Sequence, residues 1–168
     1  EKRTVAADKL VKLPAGVDDR TAAAAMLKGL TAWYLLRRSY PAKPGDTVLA
    51  YAAAGGVGLI LSQWARSIGV KVIGVVSTPA KAQLATAHGC ADIVMADDPG
   101  FVAKVRALTG GEGVAAVYDS VGKTTFFQSL DCLRRHGVMV TYGNASGPVE
   151  PFSPSELSKR GSLFVTRP

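Results

Sequence analysis

The chain has 168 residues, 48% apolar and 20% charged, with a formal net charge of +7. This is enough for one domain with a proper core and is ordinary for a globular protein. No apolar run is long enough to span a bilayer, because the longest, over residues 57–68, is broken by Ser62, Gln63, Arg66 and Ser67.

The basic residues are scattered in runs of no more than two, such as Arg37-Arg38 and Arg134-Arg135. Solvated surface charge is the first reading of the +7, a phosphate-rich small ligand the second and nucleic acid the last. The opening Glu1-Lys2-Arg3 carries no signal-peptide pattern, so a cytoplasmic protein is expected. Cys90 and Cys132 lie far apart without neighbouring ligand residues, which predicts free buried thiols rather than a zinc site.

In chain order, residues 4–7 read as a short strand and 10–14 as an extended connection. Asp18 then caps a helix running through four alanines to about Arg38, and 41–45 form a turn. From Thr47 onward β-rich runs (47–51, 71–76, 92–95, 114–119, 138–142 and 162–166) alternate with helical periodicity (57–68, 79–88, 99–108 and 124–133). That alternation predicts βαβ units and a parallel sheet. The runs are almost wholly apolar, as in Val72-Ile73-Gly74-Val75-Val76, which fits a sheet covered by helices on both faces. Thr78-Pro79 and Asp98-Pro99 read as helix starts, and Ser153-Pro154-Ser155-Glu156 as a capping box. Gly69, Gly89 and Gly110 stand where left-handed helix ends are wanted.

The sharpest motif is Ala52-Ala53-Ala54-Gly55-Gly56-Val57-Gly58, between a strand and an amphipathic helix. A dinucleotide pyrophosphate sits on free N–H groups at a helix N-terminus, and the surrounding side chains must be small to let it approach. Gly55 and Gly56 suit the turn and the approach, and Gly58 the packing of helix on strand. The glycine spacing departs from a strict G-x-G-x-x-G, but the strand-then-helix context supports dinucleotide binding.

The next strand ends Val76-Ser77-Thr78-Pro79-Ala80-Lys81, with no Asp or Glu for ribose hydroxyls. Ser77, Thr78 and Lys81 therefore favour a 2′-phosphate, hence NADP(H) over NAD, although Thr78 also reads as a plain helix cap and Lys81 as a surface charge. Two later strand tips, 119–122 and 143–147, carry small polar residues and glycine at the edge where doubly wound sheets bind ligands, though either also reads as a turn. No acid, base or nucleophile declares itself, and His88 and His136 read as surface residues.

These residues resemble the NADPH:quinone oxidoreductases of the zinc-free medium-chain dehydrogenase/reductase superfamily, the zeta-crystallin type. The resemblance covers essentially the whole chain. Besides the glycine motif it rests on Leu13-Pro14, Met26-Leu27-Lys28-Gly29-Leu30-Thr31-Ala32, Val117-Tyr118-Asp119-Ser120-Val121-Gly122, Tyr142-Gly143-Asn144 and Leu163-Phe164-Val165-Thr166-Arg167-Pro168. It implies that residues 1–45 are the end of a GroES-like domain with its connecting helix. Residues 46–168 are then an NADP-binding Rossmann domain, a doubly wound parallel six-stranded sheet with helices on both faces. Most of the catalytic domain and a C-terminal return segment would lie outside the chain.

By the same resemblance, Thr31 stands beside the nicotinamide, Gly56 and Val57 at the pyrophosphate, and Ser77 and Lys81 at the 2′-phosphate. Ser120, Gly143, Asn144 and Phe164 line the cofactor cleft. One departure is visible: relatives carry a tyrosine near the adenosine phosphate where this chain reads Val94-Met95-Ala96-Asp97-Asp98. The implied reaction is hydride transfer from NADPH to a quinone, in a homodimer joined through edge strand 162–166. The alternatives are an enoyl or alkenal reductase of the same fold, or a non-catalytic NADPH-binding sensor.

Overall fold

The computed structural model describes residues 3–168; Glu1 and Lys2, and with them the chain opening read above, lie outside the described residues. Six parallel strands form one sheet: β1 (Thr47–Ala50), β2 (Lys71–Val76), β3 (Asp92–Met95), β4 (Val114–Asp119), β5 (Leu133–Thr141) and β6 (Phe164–Thr166). Their order is β3-β2-β1-β4-β5-β6. This is the doubly wound α/β arrangement of Rossmann type, with the strand order reversing between β1 and β4.

Strand alternation divides the interior into two layers. On one face Val48, Ala50, Val72 and Tyr118 pack under α1 (Asp19–Tyr34), α2 (Gly56–Ser67) and α3 (Pro79–Ala87). On the other Leu49, Ile73, Val117 and Met139 pack under α4 (Phe101–Ala107) and α5 (Phe126–Asp131). Each fully buried Val, Leu or Ile contributes about 1.5–3 kcal/mol of hydrophobic stabilisation, so the unbroken apolar runs are what hold the sheet between its helices. Amphipathic helix α2 turns its apolar stripe inward: Leu61 and Ala65 are buried, and Val57, Ile60, Trp64 and Ile68 pack beside them.

Asp18 caps α1 as expected, accepting from Thr21 N–H at 2.8 Å and from the Thr21 hydroxyl at 3.0 Å. The helix continues as a wider π-helical stretch, Leu35–Ser39, which buries Leu35 and Leu36 completely. Thr78 caps α3 with Pro79 at its first position. Gly69, Gly89 and Gly110 all have positive φ (75°, 106° and 64°).

Four local expectations are corrected. Residues 4–7 form no strand; a single exposed 3-10 turn, Ala7–Lys9, stands there, and the sheet offers this segment no partner. Helix α4 starts two residues after Pro99, because Asp98 Oδ1 takes the Gly100 N–H at 2.8 Å and its other oxygen pairs with Lys104, closing a turn first. The capping box at Ser153 does not form. Ser153 Oγ accepts from Ser155 N–H at 3.3 Å, and the Glu156 carboxylate turns to Lys159 and Arg160 before the short helix α6 (Ser155–Lys159) ends. Strand β5 begins at Leu133 rather than at 138, with Leu133 opposite Val114 and a register shift before Val138 meets Ala116.

Candidate cofactor site

The turn between β1 and α2 is built from backbone. Ala52 adopts φ 50°, an unusual left-handed conformation for a residue with a side chain, and its carbonyl accepts from Gly55 N–H at 2.8 Å. Ala53 N–H is tied to Val75 O at 3.1 Å, so the turn is anchored to β2 as well as β1. Gly55 is the N-cap of α2 and offers no side-chain cap. The first intrahelical bond runs from Leu59 N–H to Gly55 O, which leaves the Gly56, Val57 and Gly58 N–H groups at the helix start without helical acceptors. A Cβ on Gly58 would lie 2.5 Å from Ala52 O and 2.6 Å from Ala53 Cα and O. Only glycine lets the helix approach the turn this closely.

Beside this turn a cleft of about 280 Å³ opens at the carboxyl ends of β1 and β2. Tyr51, Ala52, Gly55, Val76, Ser77 and Lys81 line it, with Val121 reaching in from the end of β4. Lys81 Nζ donates to Ser77 Oγ at 3.0 Å, and both side chains are exposed at the cleft's edge. Thr78 Oγ1 accepts from Lys81 N–H at 3.3 Å, so it acts as the helix cap and is not among the residues lining the cleft. The cleft thus has a glycine turn with free N–H groups on one side and a lysine–serine pair on the other. That donor set fits a dinucleotide pyrophosphate and a 2′-phosphate.

The tips of β4 and β5 form a second rim. Tyr142 N–H donates to Asp119 O at 2.8 Å, Ala145 N–H to Ser120 O at 3.2 Å and Ser146 N–H to Val121 O at 2.8 Å. The two loops therefore run side by side. A Cβ on Gly143 would fall 2.8 Å from Ser120 Cα and still nearer its carbonyl oxygen, so this approach also needs glycine. Burial pushes the Tyr142 phenol up, with the Ser120 hydroxyl pulling the other way. Asn144 is exposed, and its carbonyl accepts from Gly147 N–H at 3.0 Å.

A buried carboxylate holds this rim in shape. Asp119 Oδ1 accepts from Val121 N–H at 2.7 Å and Gly122 N–H at 3.1 Å, and Oδ2 from the Thr125 hydroxyl at 2.7 Å. Ser129 Oγ lies 3.3 Å from Oδ2 and 3.2 Å from the Tyr51 hydroxyl, which links the β4 loop to the floor of the cleft. Burial pushes the Tyr51 phenol far above its ordinary range, so it stays neutral.

Of the residues expected from the sequence, Gly55, Ser77 and Lys81 line the cleft, and Gly56 and Val57 form the adjoining first turn of α2. Ser120, Gly143 and Asn144 come together at the second rim. Thr31 sits on α1 with its hydroxyl donating to Leu27 O at 2.8 Å. Phe164 is not brought to the cleft: it lies on edge strand β6 at the level of Val138, 59% exposed. Strand tip 119–122 stands at the cofactor edge as the sequence predicts, with Val121 in the cleft lining. Tyr51, which the sequence marks only as a strand residue, and the buried bonding of Asp119 reach the site through neighbours distant in sequence. His88 and His136 stand outside the cleft lining. Both cysteines are buried and free, as expected. Burial raises the Cys90 thiol and pushes Cys132 up to about 12. Among the described residues no group of three or more His, Cys, Asp or Glu could hold a metal ion, and no helix is long and apolar enough to cross a membrane.

Comparison with known proteins gives three kinds of likeness. Residues 56–166 match the family described as zinc-binding dehydrogenase. A quinone oxidoreductase of Pseudomonas aeruginosa is 50% identical over 168 residues, covering 100% of this chain and 52% of that protein. A 2-haloacrylate reductase of a Burkholderia species is 49% identical over 171 residues, covering 100% of this chain and 51% of that protein. The crystal structure of Escherichia coli quinone oxidoreductase complexed with NADPH superposes with a TM-score of 0.93 at 49% identity, over 96% of this chain and 50% of that one. The chain spans about half the length of the curated relatives it matches.

Proposed function

Because the chain belongs to the zinc-binding dehydrogenase family, we propose that it forms the NADPH-holding part of an oxidoreductase that passes hydride to a quinone. The observation that carries this reading is the Ser77–Lys81 pair, set beside the glycine turn at a β2 end that has no carboxylate. The relatives named quinone oxidoreductase, one of them solved with NADPH, support it.

When bound, NADPH supplies the hydride. The chain's own residues bind, orient and enclose. The Gly56 and Val57 N–H groups, with Gly55 keeping the approach clear, receive the pyrophosphate. Lys81 and Ser77 receive the 2′-phosphate, and Thr78 holds the helix start that presents them. Thr31, whose hydroxyl donates to Leu27 O, would stand on the nicotinamide side of the bound cofactor. Ser120, Gly143 and Asn144, brought together at the second rim, would wall the far half of the cofactor site. The family resemblance alone adds Phe164, which stands exposed on β6 opposite Val138.

In this reading residues 1–45 are the end of a GroES-like domain with its connecting helix, and 46–168 the NADP-binding domain. The enzyme works in the cytoplasm without zinc, consistent with Cys90 and Cys132 being buried protonated thiols in separate layers of the core. It pairs as a homodimer through β6, whose outer edge has no strand partner among the described residues.

The test is steady-state turnover of a simple quinone with NADPH and with NADH. Consumption of NADPH at least ~10-fold more efficient than of NADH, about 1.4 kcal/mol, is expected. Equal use of the two nucleotides refutes the 2′-phosphate assignment. The Burkholderia relative supports a second reading, reduction of an activated alkene. Faster turnover of 2-haloacrylate than of any quinone would favour it.

A further inference from the structure

Lys28, on α1, lies across Gly56. A Cβ on Gly56 would come within 2.7 Å of both Lys28 Cδ and Cε, and Lys28 Nζ is 3.3 Å from the same point. Gly56 is the first residue of α2, so the ammonium stands at the positive end of that helix. A cation in that place is disfavoured by the helix dipole. No carboxylate compensates it: among the described residues Lys28 takes part in no ion pair. The groove of about 450 Å³ that it lines between α1 and α2 carries Arg20 and His88 and no acid. Lys28 and the open N–H groups of Gly56 and Val57 therefore face the same unmet need for an anion, next to a cleft that already fits one.

We propose that Lys28 is a further cofactor-binding residue, whose ammonium neutralises the pyrophosphate received by the glycine turn. The proposal rests on the dinucleotide reading above and divides the recognition in two. Lys81 and Ser77 see the 2′-phosphate, which only NADPH carries. Lys28 sees the pyrophosphate, which NADPH and NADH share. It also gives Gly56 a second purpose, since any side chain there displaces Lys28 from the helix start.

The test titrates the protein and its Lys28→Met and Lys28→Arg variants with NADPH, NADH and 2′-AMP by calorimetry. Loss of a charge-assisted contact is expected to weaken NADPH and NADH alike, by about tenfold in Lys28→Met. Binding of 2′-AMP, which has no pyrophosphate, stays unchanged, and Lys28→Arg recovers most of the dinucleotide affinity. Equal affinities in the wild type and Lys28→Met overturn the proposal, as does an equal loss for 2′-AMP. A loss that Lys28→Arg does not recover and that comes with a lower melting temperature marks a structural lysine and overturns it too. If the wild type takes up neither dinucleotide, the cofactor reading itself falls and this proposal with it.

Discussion

The ammonium of Lys81 and the hydroxyl of Ser77 meet at 3.0 Å, joining the first turn of α3 to the end of β2. Neither group faces a carboxylate in the cleft lining. Lys81→Gln is expected to weaken NADPH by about tenfold, or 1.4 kcal/mol, and to leave NADH unchanged. Ser77→Asp is expected to go further and reverse the preference, since a carboxylate repels a 2′-phosphate and accepts from ribose hydroxyls. Fluorescence titration with both nucleotides checks this; parallel losses for the two would dissociate the pair from the 2′-phosphate.

Gly58 and Gly56 stand two residues apart but face different neighbours. A methyl on Gly58 meets the backbone of Ala52 and Ala53, which cannot swing away, whereas one on Gly56 meets only the flexible end of Lys28. Gly58→Ala is therefore expected to cost about 1–3 kcal/mol of stability through overpacking. Gly56→Ala is expected to be near neutral, because alanine also favours the helix by roughly 0.5–1 kcal/mol. Urea denaturation of the two variants measures the contrast, and equal midpoints would refute the close seat of α2.

Asp119 gathers two N–H groups and at least one hydroxyl in a fully buried position. Asp119→Ala leaves those donors without a partner and is expected to destabilise by about 2–4 kcal/mol. Asp119→Asn keeps one oxygen for the Val121 and Gly122 N–H pair and is expected to cost less than half as much. Thermal unfolding ranks the two; identical melting points would mean that the loop holds itself without the carboxylate.

Tyr40 donates to Asp46 Oδ2 at 2.9 Å, and burial together with that carboxylate pushes its phenol from 10.0 to about 12. The folded protein thus keeps a proton that the unfolded chain gives up first. The stability from this contact is complete below pH 10 and is lost as the pH rises from 10 towards 12. Unfolding free energy measured between pH 9 and 12 should fall less steeply in Tyr40→Phe than in the wild type. Equal slopes would show that the phenol does not sense its partner.

The strands were legible because burial on both faces leaves a plain mark, an apolar run such as residues 72–76. The early start of β5 was not, because Arg134, Arg135 and His136 look like loop and become strand only through their neighbours in β4. Asp98-Pro99 has the letters of a helix start, but Lys104, on the following turn, draws the carboxylate away. At the site, Gly55, Ser77 and Lys81 were readable since their chemistry is local to one turn or one helix start. Strand tip 119–122 was readable too, but the Tyr51–Ser129–Asp119 links and the place of Lys28 arise by adjacency across the sheet and between helices, which spacing along the chain does not record.

The strand order sets a gradient of protection against solvent exchange. β1 is bracketed by β2 and β4, while the four-residue β3 and the three-residue β6 hang on one neighbour each. Fraying begins at such edges, and two strands, β4 and β5, lie between β6 and the phosphate turn after β1. The amides of Val48 and Leu49 should be among the slowest in the chain to trade hydrogen for deuterium. The outermost strand can loosen, or take on a partner, while the nucleotide cradle keeps its shape.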